Sequence, residues 1–511
     1  MTSRPLRAVF LEPKPPNPHI FSLYALPRLG GVLLATLLHQ RGWEVQVFVE
    51  EVADIDFDQV LTADLVGIST ITSTAPRAYA LAAEISSSGV PVVLGGPHVT
   101  FLPDEALDHA DMVVRGEGEV AILALARHFE GDPDLSRVPG LSWRKGDQIV
   151  HNPLQEEAVN LDTLPAPDLS LIHGYLRRSS LASRVIPIQT TRGCPYDCGF
   201  CSVTGMFGRK LRKRSPEKIV RELEGYRELG SLAFFYDDNF TADRSHAREI
   251  CRLIIDSNLK MDWSTQVRLE AARDLDLVNL MYKAGCRTVF IGFESVNQEA
   301  LAESRKSQLA NEMAGAVRAF RGAGIEVHGM FIYGLDSDSP QDLEETLKFA
   351  VNTPITTAQF LVLTPFPGTA LLGRLTRENR ILLSDWSLYD GHHVVYSPSR
   401  ISPRQLQRKQ VRAHWRFYSW PRILANMIKM KFVRTGIYIY ARRINARWHR
   451  QNRFYLKVLK LFSTSGPFSF GADLKRRFPD IRIVVENARR RRRAVEAGIT
   501  VEESTSCAPS T

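Results

Sequence analysis

Cys194, Cys198 and Cys201 stand close together in Arg192-Gly193-Cys194-Pro195-Tyr196-Asp197-Cys198-Gly199-Phe200-Cys201, with three and then two residues between them. Soft thiolates at this spacing suit zinc or an iron–sulfur cluster. A structural zinc site asks for a fourth Cys or His at ligand spacing. Here the next cysteine is Cys251 and the nearest downstream histidine is His246. Three thiolates on a four-iron cluster leave one iron open, and an open iron can bind a substrate or cofactor. The bland alternative is a cysteine-rich turn without metal. The other three of the six cysteines are scattered singly, so no disulfide framework is expected, and a cluster of this kind needs a reducing compartment.

Positioning such a loop is the work of the strand before it. Residues 185–188 are apolar and β-favouring, and Gly193 and Pro195 break regular structure at the first cysteine. Further strand candidates follow at 232–236, 262–266, 288–291, 327–332 and 360–363, with helical patterns between them, for example at 216–229 and 243–257. Upstream, strands are expected at 7–12, 44–49, 65–70, 91–94 and 112–114, alternating with helices at 29–41, 56–61, 76–88 and 103–107. Strands alternating with helices indicate parallel α/β sheets, which bind ligands at the carboxyl ends of their strands. In the first sheet those ends carry Ser69, Thr70, Thr72 and Ser73, then Gly95, Gly96, Pro97 and His98, then Gly116 and Glu117. Glycines allow close backbone approach and hydroxyls supply hydrogen bonds; each loop taken singly also reads as an ordinary turn.

A chain of 511 residues exceeds one compact domain. The reading divides it into an α/β domain at 1–150, a Pro-rich connector at 151–184, a second α/β unit at 185–400, a basic aromatic-rich helical region at 401–472 and a basic, partly disordered tail at 473–511. The net charge is +9, concentrated towards the C-terminus. No apolar run reaches bilayer-spanning length and no apolar segment of signal type follows Met1, so a cytoplasmic protein is expected.

The Cys-x-x-x-Cys-x-x-Cys motif with Phe200 before its third cysteine resembles the signature of the radical S-adenosylmethionine (SAM) enzymes. With the α/β segment upstream, the chain resembles their cobalamin-binding subgroup, which includes cobalamin-dependent methylases and an anaerobic ring cyclase. The resemblance implies a Rossmann-like cobalamin domain followed by a partial (β/α)6 barrel. It implies a 4Fe-4S cluster on Cys194, Cys198 and Cys201, and SAM on the open iron. Around SAM it implies Phe200, Asp238, Gln266, Arg268, Glu294 and Gly334. For the corrin it implies the first-domain loop residues named above. Many cobalamin domains carry an Asp-x-His-x-x-Gly motif whose histidine binds cobalt; residues 1–150 have none, so a cobalamin without a lower-face histidine is expected, and His98 reads as a loop hydrogen-bonding residue. The implied chemistry is reductive cleavage of SAM to methionine and a 5′-deoxyadenosyl radical, which takes hydrogen from an unactivated carbon, with cobalamin as methyl carrier. The implied donor is of flavodoxin or ferredoxin type. C-methylation is the leading reading, a cyclase or C–C bond-forming enzyme the second, and a non-catalytic membrane-associated cobalamin- or metal-binding protein the alternative from another class. Cys251 and Cys286 read as core residues and Cys507 as a residue without a role.

From 401 to 472 there is no Asp or Glu, while Lys and Arg recur among aromatic residues. Ile437, Tyr440, Ile444 and Trp448 share one helical face, with Arg443, Arg447 and Arg450 beside or opposite it. Such helices lie on anionic membrane surfaces; a packed helical cap with a solvated basic face is the second reading. Nucleic acid also suits basic and aromatic residues but is not expected. A small, lipophilic substrate handled at the inner face of a membrane is the resulting expectation.

Overall fold

A computed structural model describes residues 4–17, 26–176, 184–230 and 232–464. The expected tail, the Arg489 to Arg493 run, Cys507, the end of the basic region beyond 464 and residues 177–183 of the connector lie outside the described residues.

The first sheet starts with β1 (Arg7–Glu12), crosses through α1 (Leu29–Gln40) to β2 (Glu44–Val49) and returns to β3 (Leu65–Ser69). Helix α2 (Ala75–Ser87) leads to β4 (Val92–Gly95), then comes β5 (Met112–Val114) and α3 (Glu119–Phe129). These five strands are parallel in the order β2-β1-β3-β4-β5. The order reverses between β1 and β3, which opens a crevice at their carboxyl ends. All five strands lie where the sequence reading has them. Helix α3 was not anticipated, and neither was the antiparallel hairpin β6 (Leu141–Lys145) and β7 (Gln148–His151) that extends the sheet beyond β5. Its two-residue turn, Gly146-Asp147, is a recognisable hairpin signal at the end of the first domain, where no strand was expected.

The second unit opens with β8 (Val185–Ile188) and a small antiparallel pair, β9 (Thr191–Arg192) with β10 (Arg212–Lys213). Helix α4 (Pro216–Gly225), β11 (Leu232–Phe235), α5 (Arg244–Asp256), β12 (Asp262–Val267) and α6 (Leu275–Lys283) follow. Next come β13 (Cys286–Glu294), α7 (Met313–Gly322), β14 (Glu326–Tyr333), α8 (Pro340–Asn352) and β15 (Thr357–Val362). Six parallel strands line up in chain order, β8-β11-β12-β13-β14-β15, the open arc expected of a partial barrel. The packing on the sheet is aromatic: Phe235 stacks on Trp263 at 4.6 Å, and Phe293, Phe331 and Phe360 form a column at 5.5 and 5.3 Å, met by Phe349 of α8. Trp263 is fully buried and its Nε1 donates to the Ala284 carbonyl. Cys251 and Cys286 are core residues, as expected.

Four helices close the described chain: α9 (Pro403–Phe417), α10 (Trp420–Ile428), α11 (Phe432–Gln451) and α12 (Arg453–Thr464). Much of this region is a packed cap. The Tyr418 hydroxyl donates to the Ala358 carbonyl of β15 and accepts from its N–H, and Tyr438, Trp448 and Tyr455 are buried. The inward face of α11 runs through Thr435, Tyr438, Ala441 and Trp448. Ile437, Tyr440 and Ile444 are half-buried, and Trp448 is a core residue, so the expected surface-lying face is partly packed into the cap. No helix among the described residues is long and apolar enough to cross a membrane.

Candidate active site

The cysteine loop hangs between β9 and β10. Gly193 at its neck has φ 90°, and a Cβ there would sit 2.6 Å from the Lys210 carbonyl, so the tight closure demands glycine. The Cys201 N–H donates to the Cys198 carbonyl at 3.0 Å. Gly199 bridges two neighbouring loops, donating to Ser304 and accepting from Leu371, and Asp197 pairs with Arg305 at 3.1 Å. Phe200 packs part-buried against the core. Burial pushes the Cys201 thiol up to about 12 and raises Cys194 as well. Thiols in such surroundings ionise when a cation binds, as iron ligation requires. No three His, Cys, Asp or Glu among the described residues converge on a point for one metal ion. A cluster asks for a different arrangement, one thiolate to each iron, and the three free, half-buried cysteines on one loop suit it.

Two adjacent carboxylates at the end of β11 have opposite surroundings. Asp237 is fully buried and accepts from the N–H and hydroxyl groups of Thr190 and Thr191 at 2.5–3.1 Å. Burial nevertheless raises it to about 6. It staples β11 to the link between β8 and β9. Asp238 accepts no such bonds; its accessible surface forms part of the wall of an interdomain cleft. Asp238 is exposed to the cleft, yet the protein around it, then the neighbouring Asp237, pushes its carboxyl up to about 7.

Arg268, just past β12, is buried with its guanidinium 3.7 Å from the centre of the Tyr196 ring, inside the cysteine motif. Nε and Nη2 are engaged by Glu270 at 3.2 and 2.9 Å. Nη1 has no protein partner among the described residues. Gln266 is the half-buried penultimate residue of β12, and its carbonyl accepts from the Phe240 N–H. At the end of β13 the register slips between Gly292 and Glu294, and Glu294 takes φ 61°. Its carboxylate is paired with Lys306, a buried lysine that also donates to the Gly292 carbonyl at 2.6 Å. Gly334 is committed elsewhere: its N–H donates to Asp338, its carbonyl accepts from Tyr396, and it stands in the packing of the cap.

The cleft between the two sheets opens on solvent and holds a cavity of ≈ 370 Å³. From the first sheet it is lined by Ser69, Ile71, Gly95, Gly96, Pro97 and residues 116–119; facing them are Gln189, Arg192, Met206, Phe207, Tyr236 and Asp238. Gly96, at φ 103°, lies so close to the β3 loop that a Cβ would meet the Thr70 carbonyl at 2.3 Å. Four expected corrin contacts turn away from the cleft. Thr70 is buried with its hydroxyl donating to Gly95, and Thr72 and Ser73 lie buried in the turn that starts α2. His98 is fully buried between Tyr79 and Trp386, 3.5 Å from Glu105. Glu117 lines the cleft but is held by two arginines. It pairs with Arg192 at 3.1 Å and with Arg212, while Glu119 takes Arg192 at 2.7 Å. Burial alone would raise Glu117, yet Arg212 and Arg192 outweigh it and hold the carboxyl below the usual range. Both arginines flank the cysteine loop, so this clamp ties the first sheet's crevice to the loop. Sequence reasoning passed over Arg192, Arg212, Glu119, Tyr196 and Lys306. Arg192 stands two residues before Cys194, but a single charge carries no periodicity and its partner is far away in sequence.

The description "Radical SAM superfamily" matches residues 188–350 and "B12 binding domain" matches residues 22–126. An uncharacterized methyltransferase of Pyrococcus horikoshii is 29% identical over 418 residues, covering 78% of this chain and 89% of that one. The bacteriochlorophyllide d C-8(2)-methyltransferase of Chlorobaculum tepidum is 27% identical over 378 residues, 71% and 79% of the two chains. This chain belongs to the cobalamin-binding radical SAM enzymes. The anaerobic magnesium-protoporphyrin IX monomethyl ester cyclase of Cereibacter sphaeroides is 30% identical over 374 residues, covering 70% of this chain and 60% of that one. Among solved structures, the radical SAM methyltransferase TsrM of Kitasatospora setae superposes with TM-score 0.62 at 19% identity, covering 73% and 78%. The cobalamin-dependent radical enzyme OxsB superposes with TM-score 0.67 at 16% identity, covering 98% and 82%. A radical SAM enzyme of this family uses a 4Fe-4S cluster, SAM and cobalamin, and the thiol loop and the glycine- and serine-edged cleft fit those groups.

Proposed function

We propose that the protein is a cobalamin-dependent radical SAM C-methyltransferase acting on an unactivated carbon of a small, lipophilic substrate. The observation that carries this reading is the opposition of two strand-end surfaces across one cleft. One carries the crevice loops of the first sheet; the other carries Asp238 and the residues around the cysteine loop.

When bound, the cofactors supply a deoxyadenosyl radical and a transferable methyl group. The chain's own part is positioning and exclusion of water. Cys194, Cys198 and Cys201 hold the cluster and leave one iron for SAM. Arg268, aimed by Glu270 and Tyr196, presents Nη1 to the SAM carboxylate as a charge-assisted donor. Asp238 accepts from the SAM ammonium. Gln266 and the Phe200 backbone serve the nucleoside. Glu294 serves the ribose only by sharing its carboxylate with Lys306, and Gly334 supports the cap. Ser69, Gly95, Gly96, Pro97, Gly116 and Glu117 edge the corrin. Leu34, Leu164, Met206 and Phe207 give the cleft apolar walls suited to a lipophilic substrate. A low-potential donor of flavodoxin or ferredoxin type delivers the electron, and the protein works at the periphery of an anionic membrane.

The test is incubation of the reduced, reconstituted enzyme with methyl-labelled SAM and candidate lipids. Methylation predicts label in product and deoxyadenosine in proportion. The cyclase reading, favoured by the relative of that name, predicts deoxyadenosine with no label in product.

A further inference from the structure

Sixteen large apolar side chains are exposed among the described residues, and seven of them fall within residues 420–433. Elsewhere they occur singly, which needs no explanation. Here Trp420, Leu424, Met427 and Ile428 recur at helical spacing along α10, while Ile423 and Asn426 on its other face are buried. Met430, Phe432 and Val433 extend the patch through the turn into α11, at 67–77% exposure.

The turn is rigidly built. The Lys431 N–H donates to the Asn426 carbonyl and the Met430 N–H to Met427, the paired bonds of a Schellman closure. Met430 holds the left-handed position, φ 54°, where glycine is the usual choice, and its side chain is 72% exposed. An exposed methionine at that position carries conformational strain without packing return, which is how an outward-facing contact residue behaves.

Charge surrounds the tip. Lys429 and Lys431 are exposed and form no ion pair among the described residues. The acid near Lys431, Glu326, is already held by Arg321 at 2.6 Å and Arg434 at 2.7 Å. Arg442 lies 5.0 Å from the Trp420 ring. No Asp or Glu occurs from 401 to 464. An apolar tip rimmed by cations complements an anionic bilayer, whose headgroups accept the lysines while the acyl boundary takes the apolar side chains.

We infer that residues 420–433, the face of α10 and its turn into α11, form a membrane-docking surface for anionic lipid. The inference rests on the membrane-peripheral part of the function above and moves the contact from the Ile437–Tyr440–Ile444 face to this tip. The reconstituted full chain is floated with phosphatidylglycerol/phosphatidylcholine vesicles and with phosphatidylcholine vesicles alone. Binding is expected only with phosphatidylglycerol, weakened about tenfold or more by Leu424→Ser with Phe432→Ser. A further loss of about fivefold is expected for each of Lys429→Gln and Lys431→Gln. Peroxide oxidation of Met427 and Met430, read by mass spectrometry, is expected to be fast without vesicles and suppressed by them. Equal binding to both vesicle types, or binding unaltered in the variants, overturns the inference. So does protection of the methionines without lipid, whether by a second copy seen as a doubled mass in light scattering or by residues 465–511 at monomer mass. SAM cleavage in vesicle-free buffer is expected to be unchanged in all three variants; its absence from the parent enzyme instead sinks the enzymatic reading and leaves the docking result standing.

Discussion

The interdomain seam and the α9–α12 cap are both rich in arginine, yet they use it in opposite ways. At the seam guanidiniums sit on buried or half-buried carboxylates: Arg192 with Glu117 and Glu119, Arg212 with Glu117, Arg214 with Glu222. In the cap, apart from Arg434 on Glu326, arginines lie on aromatic rings, as Arg422 does on Phe417 and Arg442 on Trp415, or remain exposed, as Arg443 and Arg447 do. Buried pairs fix geometry, because separating them strands a charge in a low-dielectric interior. Exposed cations beside apolar side chains leave attraction available for something outside the chain. The first arrangement suits a site that must hold cofactors in line, and the second suits a surface that must find a partner.

Four experiments sharpen or break that contrast. The largest effect is expected at the cysteines: Cys201→Ala abolishes cluster absorbance and SAM cleavage, while hydroxocobalamin binding, read by its visible spectrum, persists. Next comes the clamp. Glu119→Ala leaves Arg192, 7% exposed, short of a carboxylate and is expected to cost about 3 kcal/mol in denaturant unfolding. Replacing both partners with apolar residues of similar size recovers most of that loss; if the single variant is as stable as the parent, the clamp does not tie the domains together. Arg268→Lys removes the fork that Glu270 aims and the stacking on Tyr196. SAM affinity is expected to fall about tenfold, read by equilibrium dialysis as a rise in Kd and in steady-state kinetics as a rise in KM larger than any change in kcat. The smallest stability effect is expected at the cap: Phe432→Ser changes unfolding free energy by less than about 0.5 kcal/mol, because this side chain is 67% exposed.

Asp238 supplies a pH test of the seam. Its folded-state value is raised to about 7, above the ordinary carboxylate value of about 4 in the unfolded chain. The folded form therefore retains a proton that the unfolded form releases. The stabilising contribution is complete below pH 4 and is lost as pH rises from about 4 to 7. Asp238→Asn is expected to gain stability relative to the parent across that window in the cofactor-free protein. A pH-independent difference contradicts the raised value of this carboxylate.

Much of this organisation was legible in the sequence, and the reasons differ by residue. The cysteine spacing and the eleven anticipated strands could be read because ligand spacing and apolar runs are local. Asp238 was legible as a strand-end carboxylate, but only the fold separates it from Asp237, whose partners Thr190 and Thr191 lie on a neighbouring strand link. Glu294 and Gly334 were named from position alone; Lys306 and Tyr396 reach them from distant segments and could not be inferred from pattern. His98 stands in a Gly-Gly-Pro-His loop of the kind that meets ligands, yet the short helix 97–101 that holds it packs its ring against Tyr79 and Trp386. In α11, hydrophobicity and aromaticity mark several overlapping faces, and the packing of Tyr438 and Trp448 decides which one is inward.

The most direct test is anaerobic reconstitution of the full chain with iron, sulfide and hydroxocobalamin, followed by one-electron reduction with SAM. About four irons per chain, a bound corrin and deoxyadenosine formed on reduction are expected. Zinc or no metal at the Cys194–Cys201 loop, or reduction that leaves SAM intact, contradicts the account.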